Sequence, residues 1–320
     1  MTTVLLTGGA GFIGSHMVEH LVVNTDWNIV VLDRLSYAGS LDRLAQYRAH
    51  PRVRFHFHDI RAALPSQLLK RLGEIYFIIH AAAETHVDNS LADPLPFIET
   101  NVLGTYNVLQ AARQLSVSRF VHISTDEVFG PAPRGVYYAE EDSLSPSNPY
   151  SASKAGSDCL AMAWATGYGL PVVLTRTMNN FGERQHPEKF VPLVMRAVLW
   201  GETVRIHASS EGAIGSRKWL HARNHADAVL HLLVRGALGK YHIGGDEHSN
   251  LSIAQAIADI MEKPLACELV DACLNRPGHD LRYSLDDSKL RATWTPPVPF
   301  ADSLRRCVQW TMAHKEWLEG

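Results

Sequence analysis

The sequence predicts an α/β fold, in which a doubly wound parallel sheet is followed by a smaller α/β region at the C-terminus. In the first half of the chain, short runs rich in β-branched residues alternate with segments of helical spacing. This alternation is typical of a parallel sheet covered by helices. A glycine-rich turn joins the first predicted strand to the first helix, and beyond Arg176 the alternation is lost.

The hydrophobic periodicity places the individual elements. Strands are predicted at residues 4–7, 28–32, 53–58, 75–82, 120–124 and 172–176, and the main helices at 14–23, 100–115 and 149–168. A further strand at 241–244 returns to the sheet. We therefore predict a dinucleotide-binding domain at 1–176, to which 220–248 returns, and a mainly substrate-binding region at 177–320.

Composition excludes several classes of function. The 320 residues carry 30 Lys and Arg against 33 Asp and Glu, so no basic excess exists for binding nucleic acid. No apolar run reaches the length of a membrane span, and we expect neither a membrane nor a nucleic-acid partner. The four cysteines form no CxxC pair, and the 17 histidines lack metal-ligand spacing. These patterns predict a cytoplasmic protein with reduced thiols and no metal site.

The glycine-rich turn predicts a cofactor. Gly8, Gly11 and Gly14 lie at three-residue steps, a variant of the G-x-G-x-x-G pattern of Rossmann domains, in which the backbone approaches a pyrophosphate. Asp33 ends the second predicted strand, where a carboxylate can bind ribose hydroxyls and repel a 2′-phosphate. The turn therefore favours NAD, while the neighbouring Arg34 keeps NADP open.

A tyrosine and a lysine are spaced by one helical turn. Tyr150 and Lys154 fall on one face of a predicted helix that Asn148 can cap and Pro149 can start. Tyrosine has an ordinary pKa of about 10, but a nearby ammonium and a positive nicotinamide ring would both favour the phenolate. The pair predicts a base that takes a hydroxyl proton. The alternative is the surface of an amphipathic helix.

Two adjacent carboxylates follow the fifth predicted strand. Asp126 and Glu127 fall at the carboxyl edge of the sheet, where open parallel sheets bind their ligands. Alcohol oxidation needs only one base, so an additional acid and base indicate a second proton-transfer event. The alternative is a helix N-terminus that carries acids to complement its dipole.

These motifs together resemble the extended short-chain dehydrogenase/reductases, and within them the nucleotide-sugar 4,6-dehydratases. The likeness runs through nearly the whole chain. It is carried by the three motifs above, by Arg217, and by the segments 33–39, 59–60, 82–88, 100–105, 124–130, 179–182, 187–189 and 276–280.

The resemblance implies a role for each catalytic candidate. Tyr150 would take the proton of the sugar O4, with Lys154 lowering its pKa and holding the nicotinamide ribose. Thr125 would hydrogen-bond to O4. Glu127 would remove the C5 proton, and Asp126 would protonate the departing O6 as water. The implied reaction is the NAD-dependent dehydration of a nucleoside-diphosphate hexose to its 4-keto-6-deoxy form.

The resemblance also implies two sets of binding residues. The NAD pocket would contain Gly8, Gly11, Phe12, Ile13, Gly14, Asp33, Arg34, Leu35, Ser36, Asp59, Ile60, Ala81, Ala82, Ala83, Thr100, Tyr150, Lys154 and Asn180. The nucleotide sugar would be held by Thr85, Thr125, Asn179, Lys189, Arg217, Asn250, Arg276 and His279.

The chain departs from the family pattern near the expected nucleotide site. Segment 207–218 replaces a short Gly-containing turn, Lys218 stands where the family has Asp, and Asn89 replaces a usual Arg. Arg205 and His207 are expected to face the nucleotide. These departures leave the base and sugar open: dTDP-glucose is favoured, and a UDP-hexose or another such hexose is the alternative.

Two other functions stay open. A nucleotide-sugar 4-epimerase or a UDP-glucuronate decarboxylase would share the fold, NAD and the Tyr150/Lys154 pair, but would carry small or hydroxylic residues in place of the two acids. A non-catalytic NAD-sensing protein would be free to lose Tyr150 or Lys154. The Asp126–Glu127 pair favours the dehydratase.

The resemblance further implies a homodimer. Helices 100–115 and 149–168 would pair across a two-fold axis to form a four-helix interface. We expect Val108, Leu109, Leu160 and Trp164 on their outer faces, where a monomer would expose them.

Overall fold

The structure is a computed structural model that describes residues 2–209, 212–271 and 282–319. Its strands are β1 (Thr3–Thr7), β2 (Asn28–Asp33), β3 (Val53–Phe57), β4 (Phe77–His80), β5 (Arg119–Thr125), β6 (Val172–Thr177), β7 (Asn179–Phe181), β8 (Val204–Ala208), β9 (Ser216–His221), β10 (Gly239–Ile243), β11 (Asp246–Ser249) and β12 (Cys267–Asp271). Its α-helices are α1 (Phe12–Asn24), α2 (Ser66–Leu72), α3 (Val87–Ala92), α4 (Leu95–Phe97), α5 (Gly104–Gln114), α6 (Pro149–Tyr168), α7 (Phe190–Trp200), α8 (Ala222–Val234), α9 (Asn250–Ile260), α10 (Ser288–Arg291) and α11 (Phe300–Ala313).

In the described residues, seven strands form the central sheet in the order β3-β2-β1-β4-β5-β6-β10, and each neighbouring pair is parallel. Strands β11, β9 and β7 form a second small sheet, and β12 pairs with β8. The central sheet with helices on both faces confirms the predicted doubly wound α/β class. Strand β10 lies at one edge of the sheet, beside β6.

Two apolar layers sandwich the central sheet. On one face, α1 and α8 contribute residues such as Met17 and Val229 to a cluster that includes Leu6. On the other face, α2, α5 and α6 contribute to a cluster that includes Leu5 and Ala161. Leu5 and Leu6 are adjacent on β1 and point to opposite faces, as the period of a strand requires. The burial of both faces explains the continuous apolar character of these strands.

A third apolar cluster forms the centre of the C-terminal region. Helices α7, α9 and α11 pack against β8 and β9 through residues such as Met195, Ile257 and Val308. This packing holds β9 and the start of α7 beside the carboxyl ends of the central strands. In the part of the chain described, no helix combines the length and apolarity that crossing a membrane requires.

The helix predicted at 100–115 is longer and less regular than expected. A π-helical turn, Ile98–Leu103, precedes α5, and the Gly104 N–H bonds to the Glu99 carbonyl. Within the turn, Asn101 Nδ2 donates to Ser153 Oγ at 2.8 Å and to the Glu84 carbonyl at 3.0 Å. The wide turn therefore joins α6 to the loop after β4, a tertiary contact that local periodicity does not encode.

The expected outward positions of Val108 and Leu109 are wrong. Both side chains are completely buried against the central sheet. Leu160 and Trp164 are partly buried and pack against the same cluster. The exposed apolar residues in or next to these two helices include Leu103, Tyr106 and Tyr168.

Candidate active site

A cavity of about 440 Å³ lies at the carboxyl ends of the central strands. The glycine turn and the ends of β2, β4 and β5 line it on one side, and β7, β9 and the start of α7 line it on the other. Most predicted site residues contribute to its wall: Gly8, Gly11, Phe12, Ile13, Gly14, Asp33, Arg34, Ser36, Ile60, Ala81, Ala82, Ala83, Thr85, Thr100, Thr125, Asp126, Glu127, Tyr150, Lys154, Asn179, Asn180, Lys189 and Arg217. The structure thus brings the predicted cofactor, catalytic and substrate groups into one cavity.

Five predicted site residues are not among them. Of the described residues, Leu35, Asp59 and Asn250 do not line the cavity wall. Asn250 begins α9, and its backbone N–H donates to the carbonyl of Gly215 at 3.0 Å. The remaining two, at positions 276 and 279, lie outside the described residues.

The glycine turn forms a cradle that side chains would fill. Gly8 has φ +73°, and a Cβ there would lie 2.7 Å from the backbone of Ala82. A Cβ on Gly14 would lie 2.1 Å from the Gly8 carbonyl oxygen. Helix α1 begins after Gly11 without a side-chain cap, which leaves its first N–H groups available to an anion. This cradle fits the pyrophosphate of NAD.

Asp33 organises the loop that borders the cradle. Its Oδ2 accepts a hydrogen bond from the Ala10 N–H at 2.9 Å, and its Oδ1 accepts one from the Leu35 N–H at 2.8 Å. Each carboxylate oxygen retains acceptor capacity for a ribose hydroxyl in the cavity. Leu35, which was predicted as a cofactor contact, contributes its backbone N–H to this loop.

Asp59 is engaged in ion pairs. Its Oδ2 lies 3.3 Å from Arg34 Nη1 and 2.7 Å from Arg61 Nη2, and Arg34 also pairs with Glu84. Burial acts to raise the pKa of Asp59, but hydrogen bonds from Arg61 and the charges of both arginines outweigh it and lower the pKa to about 2. Arg34 is therefore held by two carboxylates, and a 2′-phosphate would have to compete with them.

Thr125, Asp126 and Glu127 form a buried acid site where β5 ends. The Thr125 hydroxyl accepts the Glu127 N–H at 3.3 Å and donates to Asp126 Oδ1 at 3.1 Å. Burial raises the pKa of Asp126 and the Glu127 charge raises it further, to about 7, against the opposing charge of Arg217. Asp126 can therefore hold a proton at neutral pH, as a general acid must.

Tyr150 and Lys154 lie one turn apart at the start of α6, which Asn148 caps. Lys154 Nζ donates to the Ile123 carbonyl at 2.8 Å, and burial lowers its pKa to about 8. Burial and the Glu127 charge raise the pKa of Tyr150, which differs from the expected lowering by Lys154. Tyr150 therefore needs a further positive charge beside it to act as a base, and the oxidised nicotinamide ring carries one.

The opposite wall of the cavity supplies a buried cation. Arg217 is 5% exposed, and its guanidinium lies 4.6 Å from the centre of the Tyr283 ring. Arginine presents a planar set of donors that suits a diphosphate. The expectation for Arg205 is wrong, because its side chain is 75% exposed and pairs with Glu268 at 2.9 Å on the outer surface.

Sequence reasoning missed several residues of the cavity wall. Trp219 lies two residues after Arg217 on β9, so strand alternation could have found it. Tyr283 follows the 276–280 motif but was not singled out. Asn148 was identified only as a helix cap, yet it lines the cavity and its Nδ2 lies 3.5 Å from Glu127 Oε2.

Comparisons with known proteins identify the family of this chain. Residues 5–307 match the family model described as GDP-mannose 4,6 dehydratase. A dTDP-glucose 4,6-dehydratase from Escherichia coli is 37% identical over 98% of this chain and 94% of its own length. The crystal structure of a dTDP-glucose 4,6-dehydratase from Streptomyces venezuelae, which contains NAD, is 41% identical with a TM-score of 0.91 and coverage of 99% of both chains.

An epimerase is more distant. The UDP-glucose 4-epimerase of Thermus thermophilus, whose structure is a complex with NAD, is 31% identical with a TM-score of 0.86, covering 97% of this chain and 99% of its own. The fold and the site thus define an enzyme of the extended short-chain dehydrogenase/reductase class. The chain belongs to the GDP-mannose 4,6 dehydratase family, and its full-length similarity to the dehydratases supports the predicted 4,6-dehydratase activity.

The raised pKa of Asp126 predicts a pH-dependent cost to stability. Its carboxyl group is neutral in the fold up to a pH of about 7, whereas an unfolded Asp ionises near 3.9, so the cost develops as pH rises from about 4 to 7. Asp126→Asn should therefore raise the free energy of unfolding at pH 8 by on the order of 2–4 kcal/mol, and by less at pH 5. Thermal unfolding at both pH values would measure this. Asp42→Asn, at an exposed carboxylate, is the control. An equal effect of Asp126→Asn at both pH values would contradict the prediction.

Proposed function

We propose that this protein catalyses the NAD-dependent dehydration of dTDP-glucose to its 4-keto-6-deoxy product, with another nucleoside-diphosphate hexose as the alternative substrate. The observation that carries the proposal is the buried Asp126, whose pKa of about 7 suits a general acid, beside Glu127 in the cavity that contains Tyr150 and Lys154. The dTDP-glucose 4,6-dehydratases among its relatives support the choice of nucleotide and hexose.

NAD bound in the glycine cradle would accept a hydride from the sugar C4 and return it to C6, so that it is regenerated in every cycle. Tyr150 takes the O4 proton, and Thr125 hydrogen-bonds to O4. The C4 ketone acidifies the neighbouring C5–H, which lets Glu127 remove that proton. Asp126 then protonates O6, which leaves as water. Glu127, after its carboxyl proton has exchanged with solvent, gives a proton back to C5. Lys154 holds the nicotinamide ribose.

The remaining predicted residues are proposed as binding groups. The glycine turn, Asp33 and the ends of β3 and β4 hold NAD. Arg217, Asn179, Lys189 and Thr85 hold the nucleotide sugar. We further propose that residues 1–176, with 220–248, form the NAD-binding unit and that 177–320 mainly form the substrate-binding region.

A 4-epimerase of the same fold is the second candidate. The similarity to a UDP-glucose 4-epimerase favours it, and Tyr150 with Lys154 would serve it equally well. An epimerase, however, does not release O6 and so needs no acid there. Burying Asp126 next to Glu127 also raises the free energy of the ionised carboxylate pair. The acid pair therefore favours dehydration.

Mass spectrometry of a panel of nucleoside-diphosphate hexoses incubated with the protein tests the function. We expect dTDP-glucose to lose one water, with one deuterium incorporated at C5 in heavy water and the original C4 hydrogen found at C6. An epimerase would change the configuration at C4 without loss of water. That result, or the absence of water loss from every hexose of the panel, would overturn the proposal. Water loss from another hexose alone would select the alternative substrate.

Asp33 is expected to determine the choice of cofactor. We expect the purified protein to retain NAD rather than NADP, because Asp33 can bind the ribose hydroxyls and Arg34 is paired with Asp59 and Glu84. Asp33→Ala should weaken NAD binding by about tenfold or more, the scale of losing a hydrogen bond to a charged group. Calorimetric titration of the stripped protein would measure it, with the exposed Asp42→Ala as control. Retained NADP in the wild-type preparation would contradict the assignment.

We propose a homodimer whose interface contains the faces of α5 and α6 that point away from the sheet. Leu103, Tyr106 and Tyr168 are exposed there, and Leu160 and Trp164 are partly exposed. Light scattering at micromolar concentration should give twice the mass of one chain. Tyr106→Glu should shift the protein toward the monomer, while Tyr76→Glu, on another exposed tyrosine, should not. A wild-type monomer at this concentration would contradict the proposal.

We also propose a cytoplasmic location. Of the described cysteines, Cys159, Cys267 and Cys307 form no disulfide. Free thiols of this kind fit a reducing compartment.

A further inference from the structure

Arg43 is a buried cation that the proposed reaction does not use. It belongs to the short 3-10 helix Leu41–Tyr47, which follows the loop of Asp33, and it is 4% exposed. Its side chain lines the cavity. A charged side chain is rarely buried this far without a partner of opposite charge. The position of Arg43 therefore calls for an anion, either from the protein or from a ligand.

The hydrogen bonds of Arg43 go to backbone carbonyls. Its Nε donates to Arg184 at 2.9 Å, and its Nη1 donates to Ala38 at 2.7 Å and to Ala10 at 3.4 Å. In the part of the chain described, the guanidinium forms no ion pair with a carboxylate and Nη2 has no acceptor. Because a carbonyl group carries no net charge, these bonds satisfy donors and leave the positive charge without a counter-ion. Nη2 remains available to a ligand.

Both regions of the protein hold the guanidinium in place. Ala10 belongs to the glycine turn and Ala38 to the loop after β2, whereas Arg184 follows β7 in the C-terminal region. Near the C-terminus, the ring of Trp317 lies with its centre 5.3 Å from the guanidinium carbon of Arg43. A cation that the fold has already fixed loses little side-chain entropy when it binds an anion.

Ala10 places this cation between the two halves of the expected cofactor site. Its carbonyl accepts from Arg43, and its N–H donates to Asp33 Oδ2 at 2.9 Å. The next residue, Gly11, is the N-cap of α1, whose first N–H groups are available to an anion. Burial and the charge of Arg184 lower the pKa of Arg43 to about 10, against the opposing charge of Asp33. Arg43 therefore stays charged at neutral pH.

We propose that Arg43 binds the diphosphate of NAD, as a fixed cation that supplements the N–H groups at the start of α1. A guanidinium suits phosphate oxygens in both charge and geometry. Asp33 would hold the ribose hydroxyls and repel a 2′-phosphate, so the diphosphate is the anion that fits. The proposal rests on the proposed NAD site and on no step of the dehydration.

Calorimetric titration of the stripped, full-length protein with adenosine, ADP and adenosine 2′-phosphate tests the role of the charge. Arg43→Gln should weaken ADP binding by about tenfold or more, and adenosine binding by less than about twofold, because adenosine has no phosphate. Arg43→Lys keeps the positive charge and should recover most of the ADP affinity. Added salt should weaken ADP binding more in the wild type than in Arg43→Gln. The control is Arg48→Gln, on a side chain of the same segment that is 53% exposed, and it should match the wild type.

Three results of this titration would overturn the proposal. An equal loss of affinity for adenosine and ADP would show that Arg43 only maintains the structure of the site. Binding of ADP by Arg43→Gln at the wild-type affinity would show that the charge is not used. A larger loss for adenosine 2′-phosphate than for ADP would assign the cation to the 2′ position instead.

The lysine variant decides the question if Arg43→Gln does not fold. A lysine buried at this position should lose its charge at a lower pH than an exposed lysine does. The affinity for ADP relative to adenosine should therefore fall by about threefold or more between pH 7 and pH 9 in Arg43→Lys, and by less in the wild type. An equal pH dependence in the two proteins would overturn the proposal.

The two proposals fail in different ways. If the proposed NAD site is wrong, ADP binding by the wild-type protein does not respond to Asp33→Ala, and the role of Arg43 falls with it. If only the role of Arg43 is wrong, ADP binding responds to Asp33→Ala but not to Arg43→Gln. The dehydration itself is decided separately, by the loss of water from the nucleoside-diphosphate hexoses.

Discussion

Replacing Glu127 by Gln should lower the rate of water loss from dTDP-glucose by about a hundredfold or more, the scale of removing a positioned general base. Glu127 is proposed to remove the C5 proton, and an amide of the same shape cannot. Incorporation of deuterium at C5 should fall in parallel. Mass spectrometry in heavy water measures both quantities in one experiment.

The control for this variant lies within the same site. Asp126→Asn should also stop water loss, but it leaves Glu127 able to exchange the C5 proton once C4 has been oxidised. Deuterium exchange at C5 therefore distinguishes the two carboxyl groups. The exchange should be lost in Glu127→Gln and retained in Asp126→Asn. NAD retention should be unchanged in both variants. Dehydration by Glu127→Gln at near the wild-type rate would contradict the role given to Glu127.

The sequence predicted those parts of the site whose chemistry is local. The turn of Gly8, Gly11 and Gly14 needs small residues because the backbone closes on itself, so spacing alone indicates it. The Tyr150/Lys154 pair follows from one helical turn on α6. The end of β5 places Asp126 and Glu127 at the edge of the sheet. In each case a short segment contains the whole geometric requirement.

What the sequence could not supply depends on distant contacts. Helix α5 has one apolar face, which includes Val108 and Leu109, and the sequence alone does not say whether this face packs onto the sheet or onto a second subunit. The pKa of Tyr150 depends on its burial and on Glu127, which comes from another element. Asp59 forms ion pairs with Arg34 and Arg61, because the fold places both guanidinium groups beside its carboxylate. Packing, pKa and ion pairing each depend on all the groups that surround a side chain in the fold. The spacing of residues along the sequence carries no information about those groups.

Replacing Tyr150 by Phe should lower the rate of dehydration by about a hundredfold to ten-thousandfold, because the variant retains the ring but has no group to accept the O4 proton. The ring is 8% exposed and lies edge-on to Phe97 at 6.4 Å, so Phe preserves this packing and the unfolding midpoint should change little. Initial rates by mass spectrometry and thermal unfolding measure these two effects. Tyr137→Phe, on a half-exposed ring outside the cavity wall, is the matched control and should keep wild-type activity. If Tyr150→Phe dehydrates within about tenfold of the wild-type rate, another group takes the O4 proton, since a general base contributes more than that.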